Sequence, residues 1–245
     1  MQPRSVSLFH FTKSLEILKS VLKNGFWPRY CLEDVEWQGR EENDFIAFPM
    51  VCFCDIPMSR ISEHVNFYGS FGLGLTKEWG AKNNLNPVFY FSGDNPLHGA
   101  LKSLTRTISG LEGAQNKKGL MDIRYILAHS KPTKGRMIIG GEPVIKDFYQ
   151  ESEWRYVPQK KGVKDYLRSE DFSDKSKLDN LNSITQEKCM LEFLPSDVKY
   201  IFVPTDSEIP AIMNFIQTEL DSFPSADLKL LMSRVTSLES LSLDT

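Results

Sequence analysis

Two glutamates separated by one residue, Glu151 and Glu153, are the clearest candidates for chemistry in the sequence. Residues 148–157 are rich in aromatic side chains and predict a β-strand, on which residues two apart project from the same face. Because like charges repel, a strand that needed only solubility would alternate its charges. Paired carboxylates can hydrogen-bond a sugar hydroxyl and stabilise an oxocarbenium ion, which is glycosidic-bond chemistry. The alternative is a solvated edge strand whose glutamates pair with Lys160 or Lys161.

Three further residues could bind the rest of a nucleoside substrate. His10 could donate a hydrogen bond to a ribose hydroxyl or an amide oxygen, although a histidine between two phenylalanines is more often a core residue. Thr12 would share the face of His10 on a continuing strand, or it would cap the next helix. Tyr68, just before Gly69, could stack on a heteroaromatic base or belong to the core.

A basic stretch follows the glutamates and could contact the phosphates of a nucleic acid. It contains a single acid, Asp165, and its basic residues are Arg155, Lys160, Lys161, Lys164 and Arg168. The alternative is a solvated face, which is the usual reason for a run of charges.

The elements that must position these residues follow from hydrophobic spacing and turn residues. Strands are predicted at residues 6–11, 50–56, 71–75, 87–91, 137–139, 148–157 and 199–203. Helices are predicted after Thr12 up to residue 24, and at 59–68, 77–83, 95–128 with an interruption at 109–119, 207–220 and 226–243. Residues 25–49 are predicted to be irregular, and 158–187 to be a polar loop or a loosely packed helix.

This order predicts a mixed α+β fold, because many connections are too short for the regular crossovers of a doubly wound sheet. We expect one α+β domain over residues 1–222 and a C-terminal helical tail over 223–245. The pair Gly72 and Gly74 has Lys77 where a dinucleotide fingerprint needs its third glycine, so it indicates a strand that other groups approach closely.

Composition excludes several classes of protein. The chain has 245 residues, a formal net charge of −3, 41% hydrophobic and 25% charged residues, which excludes collagens, coiled coils and wholly disordered chains. No apolar run approaches the roughly 18 residues that would cross a bilayer, and no export signal is visible, so we expect a cytoplasmic protein without a membrane contact. Free thiols are expected, and a zinc site at Cys52, Cys54 and His64 is disfavoured because Cys-x-Cys is too tight for a usual zinc pair. No metal is therefore predicted.

The sequence resembles the AbiGi family of abortive phage resistance proteins over roughly residues 5 to 220. The resemblance lies in SLFHFTKSLEILKSVLKNGFWPRY, in VCFCDIPMSRISEHVNFYGSFGLGLTKEW and in FYQESEWRYVP. It implies a role in phage defence within a toxin–antitoxin pair, with a cognate toxin or antitoxin as partner.

More remotely, the order of a His-x-Thr strand end, a Tyr-Gly corner and a Glu-x-Glu triplet resembles ADP-ribosyltransferase toxins. This resemblance implies a split sheet with flanking helices, and NAD as substrate. His10 would hold a ribose hydroxyl, with Thr12 beside it, the backbone of Phe11 would bind the nicotinamide amide, and Tyr68 would stack on the nicotinamide ring. Glu153 would be the catalytic glutamate, and Glu151 would position the acceptor, for which RNA and DNA are candidates.

The hypothesis that follows is a phage-defence ADP-ribosyltransferase acting on a macromolecular acceptor. Two alternatives stay open from the residues. One is a metal-dependent nuclease using Asp147 with the two glutamates. The other is a non-catalytic antitoxin or interaction protein, whose leucine-bearing tail over residues 226–243 would dock on a partner.

Overall fold

A computed structural model describes residues 5–38, 45–93, 95–139 and 142–242. The strands are β1 Ser7–Thr12, β2 Arg29–Asp34, β3 Phe45–Cys54, β4 Phe71–Thr76, β5 Asn86–Pro87, β6 Phe89–Phe91, β7 Ser130–Pro132, β8 Lys134–Ile139, β9 Glu142–Asp147, β10 Glu153–Tyr156, β11 Leu167–Arg168, β12 Val198–Val203 and β13 Val235–Ser237. The helices are α1 Leu15–Asn24, α2 Ile61–Tyr68, α3 Lys77–Lys82, α4 Pro96–Ser109, α5 Gly113–Ala128, α6 Ser169–Ser173, α7 Lys175–Cys189, α8 Ile209–Glu219, α9 Ser225–Met232 and α10 Leu238–Ser242. The predicted mixed α+β class is confirmed. Within the described residues, every helix is too short or too polar to traverse a bilayer.

Contacts divide the chain into two compact units, whereas the sequence predicted one domain and a tail. The first unit comprises Met1–Trp27, Cys52–Leu85 and Met190–Thr245, and the second comprises Pro28–Val51 and Asn86–Cys189. Strand β3 changes unit near its end.

The first unit is built on a sheet in which β1 pairs antiparallel with β4, and β4 pairs antiparallel with β12. Gly72 and Gly74 of β4 lie opposite Phe11 and Phe9. A Cβ atom at Gly72 would lie 2.6 Å from the Phe11 ring, and one at Gly74 would lie 2.9 Å from the Phe9 ring. The glycine pair therefore admits two aromatic rings of the neighbouring strand, as its strand interpretation predicted.

The predicted C-terminal tail belongs to the first unit and is more than helical. Its strand β13 extends the sheet by pairing parallel to β12. Leu231 of α9 is 2% exposed, so this helix uses its leucine to pack against its own unit. The predicted end of the tail at residue 243 lies outside the described residues.

In the second unit the structure corrects one predicted region and decides between two alternatives in another. The stretch 25–49 was predicted to be irregular, but it holds β2, which pairs antiparallel with β3 along its whole length. The polar stretch 158–187 contains helix α7, which hydrogen bonds hold against β2: the Tyr30 amide donates to Asn182 at 3.0 Å, and the Thr185 hydroxyl donates to the Pro28 carbonyl at 2.6 Å. The buried Asn182 and Thr185 share this helix with Leu178 and Leu181, which pack against a buried cluster of Tyr30, Ala47 and Leu167. Because its packed residues are partly polar and partly apolar, the helix gives hydrophobic periodicity only a weak signal.

Two local predictions are also corrected. Helix α1 is capped by Ser14, whose hydroxyl accepts from the Ile17 amide, while Thr12 ends β1. The strand predicted over 148–157 is confirmed only at β10, since Phe148–Glu151 form a 3-10 turn.

Candidate functional site

Glu151 and Glu153 do lie side by side, but a turn brings them together. Glu151 ends the 3-10 turn, Ser152 adopts a left-handed conformation with φ 44°, and Glu153 begins β10. Their carboxylates meet at one ammonium group: Lys131 Nζ lies 3.2 Å from Glu151 Oε2 and 2.8 Å from Glu153 Oε2. The predicted proximity is therefore right and the predicted strand geometry is wrong.

Two further cations complete the coordination of these carboxylates. Lys146 Nζ lies 2.6 Å from Glu151 Oε1. Arg155 places Nε 2.7 Å from Glu153 Oε1 and Nη2 3.2 Å from Glu153 Oε2. Each carboxylate oxygen of both glutamates therefore has a cationic partner.

The same arginine joins a third carboxylate and the backbone. Arg155 Nη2 lies 2.9 Å from Glu33 Oε2, and Nη1 donates to the Ala128 carbonyl at 2.7 Å. We call the following set the carboxylate–cation cluster: Glu33, Lys131, Lys146, Glu151, Glu153 and Arg155. Its three cations balance its three carboxylates.

The cluster is buried. Both candidate catalytic glutamates are 5% exposed, and Arg155 is fully enclosed. Burial alone would raise the pKa of Glu151, but Lys131 and Lys146 outweigh it and hold the pKa below its usual value. Burial would likewise lower the pKa of Lys131, but Glu153 leads the carboxylates that raise it. Both groups are therefore charged at neutral pH, and each needs its partners.

The cluster ties segments of the second unit together. Its members come from β2, β7, β9, β10 and the turn before β10. The Glu153 amide also donates to the Tyr90 hydroxyl at 2.9 Å, which anchors the start of β10. In this arrangement the Glu153 oxygens that would hold a ribose hydroxyl contact Lys131 and Arg155, and NAD binding by these residues stays a prediction.

His10 is packed within the first unit. Its Nδ1 lies 2.8 Å from the Cys52 carbonyl, and its ring makes an edge contact with Phe26 and a tilted contact with Phe53 at centroid distances of 5.0 and 5.5 Å. Burial lowers the pKa of His10, only partly offset by that carbonyl. A neutral histidine in aromatic surroundings is the packing alternative that the sequence left open.

Phe11 and Thr12 follow His10 on β1, and Tyr68 ends helix α2. The Phe11 and Tyr68 rings both contact His64, at 5.9 and 4.4 Å, and the backbone of Phe11 is paired with β4. Thr12 is buried at the end of β1, where its carbonyl would lie 2.2 Å from a Cβ atom on Gly69. Because neighbouring residues of a strand point to opposite faces, the side chains of His10 and Phe11 lie on opposite faces of β1.

His10 belongs to the first unit and both glutamates belong to the second. The single cleft predicted around these groups stays a prediction, and so do the ligand roles assigned to the individual residues.

The predicted nucleic-acid patch loses one member. Arg155 is fully buried in the cluster, so it cannot reach a phosphate at the surface. Lys160, Lys161 and Lys164 are exposed, and Lys164 Nζ lies 2.8 Å from Asp171. Phosphate binding by these three lysines stays a prediction.

Comparison with known proteins supplies the family. The family model described as abortive phage resistance protein AbiGi, antitoxin, matches residues 24–204. The chain belongs to the AbiGi family. A protein of Lactococcus lactis subsp. cremoris named abortive phage resistance protein AbiGi is 27% identical over 237 residues, covering 86% of this chain and 95% of that protein. No solved structure matches this chain significantly.

The match to AbiGi supports the predicted role in abortive phage resistance. The matched segment includes every member of the carboxylate–cation cluster and begins after β1, which carries His10. The cluster is therefore part of the shared AbiGi region.

Helix α4, also inside the AbiGi match, carries a feature that the sequence analysis missed. We call Leu97, Ala100, Leu104 and Thr107 the α4 stripe; all four are exposed, with Leu97 at 64% and Leu104 at 48%. Their spacing of three, four and three residues places them on one helical face, as in the seam of a coiled coil. This spacing was visible in the sequence and could have been noticed.

No metal centre is apparent in the part of the chain that the structure describes. There, no group of three or more histidine, cysteine, aspartate or glutamate side chains is arranged to hold a metal ion. The nuclease alternative stays a prediction.

Proposed function

We propose that this chain is the antitoxin of an abortive-infection pair, a non-catalytic protein that binds a partner toxin and holds it inactive. The observation that carries the proposal is the pairing of Glu151 and Glu153 with Lys131, Lys146 and Arg155. A catalytic carboxylate acts on its substrate through its oxygens, and every oxygen of these two glutamates already contacts a cation of its own unit. The antitoxin description of the family supports the same conclusion.

The α4 stripe is the surface on which we propose that the toxin docks. Exposed leucines at coiled-coil spacing suit an apolar helix of a partner. The tail does not offer such a surface, because Leu231 is already buried in the first unit. An antitoxin needs an exposed surface of this kind more than it needs a reactive group.

The test is co-expression of the toxin of the same defence system with wild-type chain, the double variant Leu97→Glu/Leu104→Glu, or Leu194→Glu. Leu194 is a matched control because it is 56% exposed and lies in the other unit. We expect wild type and the Leu194 variant to restore growth and to co-purify with the toxin, and the double variant to do neither. Thermal melting of each variant separates lost binding from lost folding.

Equal protection by all three chains would remove the α4 stripe from the proposal. Failure of the wild-type chain to bind or restrain the toxin would overturn the antitoxin function itself.

A second function, transfer of ADP-ribose from NAD by an ADP-ribosyltransferase-like fold, is favoured by one observation. The two carboxylates converge within 3.2 Å of a single ammonium group, so a displacement of Lys131 would leave a carboxylate pair of the predicted kind. This function predicts NAD consumption by the purified wild-type chain, and loss of that activity in Glu153→Gln.

If the acceptor of ADP-ribose is a nucleic acid, the chain must also bind RNA or DNA. Replacing Lys160, Lys161 and Lys164 together with glutamate should weaken RNA or DNA binding and flatten its salt dependence. Unchanged binding would remove these lysines from the hypothesis.

A further inference from the structure

A cavity of about 210 Å³ lies beside helix α4 in the second unit. Its polar lining consists of Gln38, His98, Lys102, Thr105 and Arg106, and leucines complete its wall. The lining residues of α4 recur at intervals of three and four, so they share one face of the helix. This face differs from the α4 stripe, which uses positions 97, 100, 104 and 107.

Charge distinguishes this cavity from the carboxylate–cation cluster. Its lining holds two cations, Lys102 and Arg106, and no carboxylate. Neither cation forms an ion pair with any residue that the structure describes, whereas Lys131, Lys146 and Arg155 all do. Two like charges at one concave surface repel each other and raise the local concentration of anions.

The inner end of the cavity is held in place by aromatic packing. The His98 ring lies 5.3 Å from the Trp37 ring and 6.3 Å from the Phe91 ring, measured between centroids. His98 itself is buried, as is Gln38. The cavity therefore has a rigid polar end below its two basic side chains, which limits the ordering cost of binding.

We propose that this cavity binds a small phosphate-bearing molecule, with the phosphate between Lys102 and Arg106. Two cations match the charge of a phosphate monoester, about −1.5 to −2 at neutral pH. The guanidinium of Arg106 can contact two phosphate oxygens at once, and the ammonium of Lys102 supplies a point charge. Leu101 and Leu127 give the rest of the ligand an apolar contact.

Size limits the ligand. The cavity is smaller than the roughly 300 to 1,000 Å³ of sites for drug-sized ligands, so a phosphorylated sugar or a mononucleotide fits its scale better than a dinucleotide. The proposal is independent of toxin binding, because it concerns the other face of α4.

Isothermal titration calorimetry of the full chain tests this site with three probes: inorganic phosphate, ribose 5-phosphate and adenosine monophosphate. Adenosine is the uncharged control. The variants are Lys102→Gln/Arg106→Gln and, as a matched pair of basic residues outside the cavity, Lys117→Gln/Lys118→Gln. All four residues are at least partly exposed, so each variant should melt like the wild type.

We expect the wild-type chain to bind at least one phosphorylated probe and to ignore adenosine. The cavity variant should bind about tenfold more weakly or worse, since charged hydrogen bonds are lost, and the Lys117/Lys118 variant should bind as the wild type does. Absence of binding by the wild type to all three probes would overturn the proposal. Equal affinities in the two variants would also overturn it, because the attraction would then be unspecific. If the cavity variant melts early, the single changes Lys102→Gln and Arg106→Gln give the same comparison.

Discussion

Helix α4 and the carboxylate–cation cluster lie in the same unit and both carry basic residues, but they use charge in opposite ways. In the cluster, Arg155 meets Glu33 and Glu153 inside the protein, and its charge stabilises the fold. On α4, Lys102 and Arg106 line a cavity that contributes no carboxylate. The difference teaches that residue type alone does not mark a functional site. A basic side chain that is ion-paired inside the protein contributes to its stability, whereas a basic side chain without such a pair can bind an anionic ligand.

The largest expected effect comes from breaking the cluster. Arg155→Met leaves Glu33 without this partner and removes the donor to the Ala128 carbonyl. Loss of one partner from a buried ion network costs about 3 to 5 kcal/mol, which urea unfolding would measure. The matched control is Arg124→Met, because Arg124 pairs with the half-exposed Asp165 and should cost about 1 kcal/mol or less. Similar losses in both variants would mean that the cluster is not the stabilising centre we describe.

The second largest effect is expected from truncating a leucine of α9, compared with a leucine of the α4 stripe. Leu231→Ala in α9 creates a cavity in the first unit and should lower the free energy of unfolding by about 2 to 5 kcal/mol. Leu104→Ala on the α4 stripe should change it by less than about 0.5 kcal/mol, because that side chain is already in water. Chemical denaturation of the two variants gives the comparison. A stability loss at Leu104 as large as that at Leu231 would contradict the exposed stripe.

Acid should weaken the cluster through Glu151. Its pKa is lower in the folded chain than the ordinary 4.5, so its contribution to stability is present above pH 4.5 and is lost as the pH falls through the folded value. Denaturation at a series of pH values should show this loss in the wild type and a shallower one in Glu151→Gln. An identical slope in the two chains would show that Glu151 does not titrate in this way.

His10 should give the first unit a separate pH dependence. Its folded pKa lies below the ordinary 6.5, so its contribution is present above pH 6.5 and declines as the pH falls below that value. His10→Asn should flatten the dependence of stability just below pH 6.5. His129→Asn is the control in the second unit, because burial lowers that pKa too. If only the His129 variant flattens the curve, His10 is not the group responsible.

Much of the fold could be predicted because its signals are local. Helix α1 has apolar residues at helical spacing and ends at Gly25. The glycines of β4 predicted that other groups approach this strand closely, and aromatic rings do so. Strand β2 was missed, and helix α7 was predicted only as one of two alternatives, since their stability comes from pairing with β3 and from hydrogen bonds to distant backbone. These interacting segments are far apart in the sequence, so a short stretch of residues does not include both partners.

The sequence by itself determined that Glu151 and Glu153 lie close together, that the chain is mixed α+β, and that it resembles AbiGi proteins. Only the tertiary structure decided what the glutamates meet, because Lys131 and Lys146 reach them from other strands and Glu33 reaches their partner Arg155. On α4, too, the tertiary structure decided which face is exposed. Positions 97, 100 and 104 and positions 98, 101 and 105 both recur at helical spacing, so the sequence pattern does not distinguish the two faces. Periodicity tells which residues share a face, and contacts between distant segments decide which face is covered.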